Sequence, residues 1–321
     1  MRIVIGLCCS LAIFAAGLPK LGLKTPGIQV PFVNLKSEAE FSTAPDWIAS
    51  TDTIWIPDPS KDALNRIDAK AGKLGEPISG VGKPCGGAVS AFGSLWVPDC
   101  AAQKLNRIDT KTGKITAQIS SGVAAGQPVL AATADSVWVL SDAKTTLSRI
   151  DPERNQVVAE LRLPAGCNAL AFGESALWVA CPSDGQVLRI DPRTNLIDKR
   201  IDVSAQPRAL AIGEGSVWVL CRKEGKVERI DPKTNKVSKT IELGVPGVDG
   251  AIADGLGSVW VTLTGYPLTR IDPGTDKVVQ QFFGDGGGAI AVGQGSVWLS
   301  NRSSGNLWRL DPKRIAATLA E

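Results

Sequence analysis

Histidine is absent from all 321 residues. That removes Ser-His-Asp and Cys-His triads and any imidazole general base. Chemistry here would rest on carboxylates, Lys, Tyr266 or a cation held by oxygen ligands. The acidic candidates are Asp46, Asp99, Asp142, Asp184, Glu224 and Asp249, and Asn168, Arg208, Arg222 and Arg302 lie among them. Six carboxylates around one opening would suit Ca²⁺ or Mg²⁺, which take oxygen ligands; dispersed, they are solvated loop charges. The seven cysteines contain no C-x2-C pair, so zinc is not expected. Formal charge is only +3 with no long basic run, and nothing asks for nucleic acid.

The elements that must position these groups come from a repeat. Trp in a G-S-V-W-V-like context falls at Trp55, Trp96, Trp138, Trp178, Trp218, Trp260 and Trp298, in steps of 41, 42, 40, 40, 42 and 38. An R-I-D or R-L-D triplet follows each one, beginning at Arg66, Arg107, Arg149, Arg189, Arg229, Arg270 and Arg309. Within a unit the runs "RALAI", "SVWVL", "KVERI" and "KVSKTIEL" (208–243) are apolar or β-branched and bounded by Gly, Asp, Pro and Asn, the signature of four strands. "DPKTN" (231–235) reads as the turn between the third and fourth. Seven four-stranded units with almost no helix predict a seven-bladed β-propeller.

A Trp-to-Arg spacing of 11 residues, 10 after Trp260, places the two side chains opposite each other on one face of a hairpin. There the guanidinium stacks on the indole, and Asp231, two residues beyond Arg229, is expected to neutralise it. Seven copies of a pair mean scaffold, so function should lie where the units disagree. They disagree in the loops between second and third strands and between blades, all at one end of the ring. The mouth of the central channel at that end is the expected site.

The final unit stops at "LDPKRIAATLAE" without a fourth strand, whereas "SEAEFSTAPDW" (37–47) precedes the first unit. Residues 38–43 are therefore expected to supply the outer strand of the last blade. Residues 1–17 read as a signal peptide cleaved after Gly17, with 18–37 an extension and 38–321 the propeller. The apolar run falls short of the ~20 residues of a spanning helix. A periplasmic or secreted chain that does not stay in the membrane is expected, and a monomer. In that setting Cys85 with Cys100 and Cys167 with Cys181, facing each other across hairpins, are disulfide candidates. That pairing leaves Cys221 as the odd thiol; Cys181 with Cys221 is the competing one.

The units "GSVWV" and "VERIDPKTNKV" resemble those of exported bacterial propellers of the YVTN/YncE-like and virginiamycin B lyase-like (streptogramin lyase-like) group, over about residues 40–312. Lyases of that group depend on a catalytic His near an Mg²⁺ site, and no residue here matches it, so the resemblance implies the fold and assigns no catalytic residue. Sugar-lactonase propellers, looser relatives in shape, hold their metal with carboxylate and amide groups. Two readings follow. One is a non-catalytic module whose mouth binds a small molecule, glycan or protein. The other is a metal-dependent hydrolase or lyase using the carboxylates. A converging trio of acidic or amide side chains at the axis would favour the second, an Arg-rich or apolar mouth without one the first.

Overall fold

The computed structural model describes residues 26–58, 60–123, 129–141, 145–247 and 249–319. Each forty-residue unit is one antiparallel sheet, and seven sheets make a seven-bladed β-propeller. The fifth blade shows the pattern plainly, with Pro207–Gly213, Ser216–Cys221, Lys226–Asp231 and Lys236–Glu242 paired in chain order. Its second strand is buried along its whole length, while the fourth keeps its lysines in water. That contrast is why "SVWVL" is continuously apolar and "KVSKTIEL" is mixed.

Trp and Arg are paired across the second and third strands in all seven blades. In the sixth, a register shift between Val261 and Leu263 absorbs the shorter spacing. The indoles, at most 1% exposed, pack forward onto the next blade. Trp138 lies among Leu170, Leu177 and Val179 of the fourth blade, Trp218 among Val259 and Val261 of the sixth, and Trp298 among Ile54 and Ile56 of the first. The core therefore sits between blades as well as within them.

The arginine does more than stack, although its guanidinium lies 4.8 to 5.9 Å from the ring centroid in the second to sixth blades. Its Nε donates to the Ser two residues before the Trp, as in Arg229 to Ser216 at 2.8 Å and Arg107 to Ser94 at 2.9 Å. Its Nη1 crosses to the turn of the following blade. Arg229 reaches Pro273 O and Asp276 Oδ1, both at 2.8 Å, and Arg107 reaches Pro152 O and Asn155 Oδ1. Asp231 does not neutralise Arg229. Its Oδ1 accepts the backbone N–H groups of Lys233 and Thr234 instead, because a carboxylate at the start of a tight turn satisfies the turn's own donors first. Those bonds hold Asp231 below the ordinary carboxylate value.

The ring closes as expected. Ala39–Phe41 lies antiparallel to Asn306–Leu310 as the outer strand of the last blade, Ala39 facing Arg309. The C-terminal residues instead form a short helix, Pro312–Ala317, begun by Asp311, which accepts from Lys313 N–H. Gln280 donates to Ile315 O and Thr318 Oγ1, both at 2.8 Å, tying that helix to the sixth blade. Ile28–Pro31 adds a fifth, parallel strand to the outer edge of the same blade, and Phe32 stacks on Trp308 at 5.0 Å. The expected signal segment, 1–17, lies outside the described residues; among these, no helix is long and apolar enough to cross a membrane.

One blade lacks part of the scheme. Ala176 stands where five other blades have Ser and the first has Thr53, and Arg189 Nε is buried without a partner. Ala176→Ser should supply the acceptor and raise the unfolding free energy by about 1 kcal/mol. Ser216→Ala, its mirror image, should cost about 1–3 kcal/mol by orphaning Arg229 Nε. Urea unfolding of the two variants against the parent measures both.

Candidate functional site

The inner strands start at the mouth and the second strands end there, and the residues at those ends carry the charges. Arg208 Nε donates to Asp249 Oδ1 at 3.1 Å, and Arg222 Nη1 lies 4.0 Å from the same oxygen. Arg222 also donates to Gln206 Oε1 at 3.3 and 3.4 Å. Across the opening, Arg302 Nη2 lies 3.3 Å from Asp46 Oδ1. Two cavities meet at Arg208. The larger, 490 Å³, is lined by Asp46, Trp47, Arg208, Asp249, Arg302 and the glycine run 286–288. The smaller, 250 Å³, holds Asn168, Gln206, Arg208 and Arg222.

The glycines shape the larger cavity. Gly286 and Gly287 have φ of 137° and 82°, which side chains rarely adopt, so the loop between the sixth and seventh blades turns in tightly. It is pinned from beneath by Gly287 N–H to Asn301 Oδ1 at 3.2 Å and by Thr262 Oγ1 to Gly288 O at 2.8 Å.

Three guanidiniums thus face two carboxylates, and the ion pairs are half-exposed. Such pairs contribute only about 0–1 kcal/mol, so an incoming anion can displace them. Asn168 Oδ1, beside the smaller cavity, is buried without a hydrogen bond.

Of the residues nominated from sequence, six meet here: Asp46, Asn168, Arg208, Arg222, Asp249 and Arg302. Asp99 does not join them. It is buried, its Oδ1 accepting the N–H groups of Lys83, Ala101 and Ala102, and so organises its own loop. Tyr266 packs against the apolar cluster around Trp218 and Ile252. Glu224 is ion-paired to Lys226 at 2.8 Å, and Asp184 is exposed; neither lines these cavities. Asp142 lies outside the described residues. Among these, no group of three or more Cys, Asp or Glu side chains is placed to hold a metal ion.

Two disulfides, Cys85–Cys100 and Cys167–Cys181, brace loops at this end. They suit an oxidising environment. Cys221 stays reduced and buried, its thiol pushed up by burial and then by Glu228 and Glu224.

The sequence reading missed Asp254, at the far end of the inner strand that starts beside Asp249. It occupies the place of the apolar Ile212 of the preceding blade and lies against Gly213, with Oδ2 buried and unpartnered. Burial, then Glu214, raises it from 3.8 to about 6. A carboxylate at a position that is apolar in four other units and Ser in two was the available signal.

Comparison with known proteins supports the fold. No protein-family profile matches the chain, and no curated protein is similar in sequence. Among solved structures, a streptogramin B lyase superposes with a TM-score of 0.70 at 18% identity, covering 89% of this chain and 96% of that one. A catalytically inactive virginiamycin B lyase from Staphylococcus aureus with quinupristin, carrying a His-to-Ala change, gives 0.69 at 17% identity, covering 84% and 94%. The WD40 domain of Neurospora crassa Pan2 gives 0.66 at 13% identity, covering 83% and 88%.

Two outcomes are expected. Because folding raises the Asp254 pKa, the folded state holds its proton more tightly than the unfolded chain between pH 3.8 and about 6. Its contribution to stability therefore rises as pH falls through 6 and is complete below 3.8. Asp254→Asn should stabilise the protein at pH 7 by about 1 kcal/mol, allowing for its half-burial, and the difference from the parent should vanish towards pH 4. Thiol titration of the chain from residue 18 should find no reactive thiol in the native state and one, Cys221, once it is unfolded without reductant.

Proposed function

We propose that this chain is an exported, non-catalytic binding propeller, periplasmic or secreted. Its mouth takes an anionic small molecule or acidic sugar. The observation that carries the reading is the convergence of Arg208, Arg222 and Arg302 on adjoining cavities whose two carboxylates are held only by exposed ion pairs. A cavity of 490 Å³ falls within the range of small-ligand sites. Guanidinium groups bind carboxylate and phosphate in bidentate fashion. The unpaired Asn168 Oδ1 would accept an N–H or O–H of the same ligand.

The likeness to streptogramin lyases brings no reaction with it. One of those structures is inactive through loss of a histidine, and this chain has none. The carboxylates that would replace an imidazole by holding Ca²⁺ or Mg²⁺ are dispersed, with Asp99 committed to its loop and Glu224 to Lys226. The metal-dependent hydrolase therefore remains the alternative outcome of the test.

Thermal unfolding with citrate, galacturonate and inorganic phosphate added singly should show a saturable stabilisation by at least one, about 2.7 kcal/mol at a hundredfold excess over its Kd. Arg208→Ala, at the junction of the cavities, should weaken that binding at least about tenfold. Binding unchanged in Arg208→Ala, or no stabilisation by any anion, would refute the reading. Saturable stabilisation by Ca²⁺ or Mg²⁺ that is lost in Asp249→Asn would replace it with the metal site.

A further inference from the structure

The first blade departs from the other six at three linked points. Elsewhere the repeat Trp Nε1 always has an acceptor. In five blades this is the carbonyl five residues before it, as in Trp218 to Gly213 O at 3.2 Å, and in the third it is Thr133 Oγ1. Trp55 Nε1 is buried with no acceptor. The repeat arginine is likewise engaged elsewhere, by the next blade's turn or by a substitute. Arg189 takes Asp198, Arg270 takes Gln280, and Arg309 takes Ala69 O and Glu38. Among the described residues Arg66 makes no hydrogen bond and no ion pair, and it is exposed.

The cause is legible in the turn that Arg66 faces. The fifth turn position carries Asn155, Asn195, Asn235 or Asp276 in the third to sixth blades, all at positive φ, and its side chain receives the preceding arginine in three of them. The second blade has Gly113 there, with φ 67° and no side chain to offer. In addition, Gly75, Glu76 and Pro77 split the outer strand of the first blade into Lys73–Leu74 and Ile78–Ser79. Between the first and second blades lies an 800 Å³ cleft, lined by Trp55, Arg66, Lys70, Glu76, Lys111 and Gly113 among others; the next interface has a cleft of similar size, 820 Å³, but not its open donors. The corresponding cleft between the second and third blades has both its arginines taken, Arg107 by Pro152 O and Asn155, and Arg149 by Ser136, Asp135 and Asn195.

We propose that this cleft, at the end of the ring opposite the mouth, is a second binding site, for a peptide-like carboxylate held by Arg66 and the Trp55 indole N–H. Two unanswered donors, one fully buried, line the same space, and such groups call for an acceptor. In the second and fifth blades the arginine meets a backbone carbonyl together with an Asn or Asp side chain. A ligand presenting a carbonyl beside a carboxylate reproduces that pair. The acidic groups of the cleft compete weakly. Asp68 is bound to its own turn's N–H groups and Asp52 accepts from Thr51, leaving Glu76 against Lys70 and Lys111.

The test follows indole ¹⁵N–¹H resonances of the mature chain titrated with N-acetyl-L-aspartate, the Trp55 signal being assigned with Trp55→Phe. A saturable shift of Trp55 is expected, unchanged in Arg208→Ala, which separates this cleft from the mouth. Arg66→Gln should weaken the binding at least about tenfold, the loss of a charge-assisted pair. Gly113→Asn, placing at a positive φ the residue that three other turns carry there, should answer Arg66 internally, abolish the shift and raise Tm. A Trp55 signal that does not move, that moves equally in Gly113→Asn, or that moves only when the mouth is intact would overturn the proposal.

Discussion

Everything in this ring depends on one contact made seven times, a buried indole lodged in the next blade, with an arginine laid across it in five of the seven. A four-stranded sheet of forty residues buries too little apolar surface to hold itself together. Here each blade's tryptophan is buried among residues of its successor, and the seventh closes onto the first. Burial of an indole contributes several kcal/mol, but it leaves a guanidinium near the interface whose donors must be met. Ser on the same hairpin meets one and the following turn meets another, so satisfying the arginine orients the neighbouring blade. Packing and polar satisfaction thus point to one geometry, the consistency that a unique fold requires.

The fold was legible because its determinants are local and repeated. The Trp-to-Arg spacing encodes hairpin register, and the missing fourth strand of the last unit exposed the need for a closing strand, which Ala39–Phe41 supplies. What spacing could not show was a partner from another blade. Asp231 is two residues from Arg229 in sequence, yet the arginine's acceptor is Asp276, forty-seven residues away. Proximity along the chain misleads when a short side chain has its own turn to serve. Ile28–Pro31 was missed for a related reason. Four residues of an edge strand carry little pattern, and their partner is in a blade more than two hundred residues distant.

The mouth was half legible. Loop position sufficed to nominate Arg208, Arg222, Arg302, Asp46, Asp249 and Asn168, because the propeller directs those connections to one end. It did not sort them from Asp99, Glu224 or Tyr266, whose types and loop positions look the same on paper. The sorting is done by competition for partners. Asp99 meets three backbone N–H groups in a loop tied by Cys85–Cys100, whereas Arg208 and Arg302 find only exposed carboxylates that solvent also serves. A side chain becomes available to a ligand when the scaffold leaves it under-satisfied.

A repeat protein makes that condition measurable within a single chain. Each position has six internal references, so a departure can be classified by whether its consequences are repaired. Ala176 removes an acceptor, and Arg189 is met only in part, its Nη1 by Asp198 while its Nε stays unpartnered. Gly72 removes another, and Arg309 turns to Glu38 of the closing strand. At Gly113 the loss is repaired by nothing, and a buried indole N–H beside it is also left unmet. An unmet buried donor costs about 1–3 kcal/mol, in a scaffold where one Asn at a tolerant φ would answer the neighbouring arginine. The donors left open there are the ones assigned above to a ligand, which places the informative residues of a propeller at the failures of its own rule.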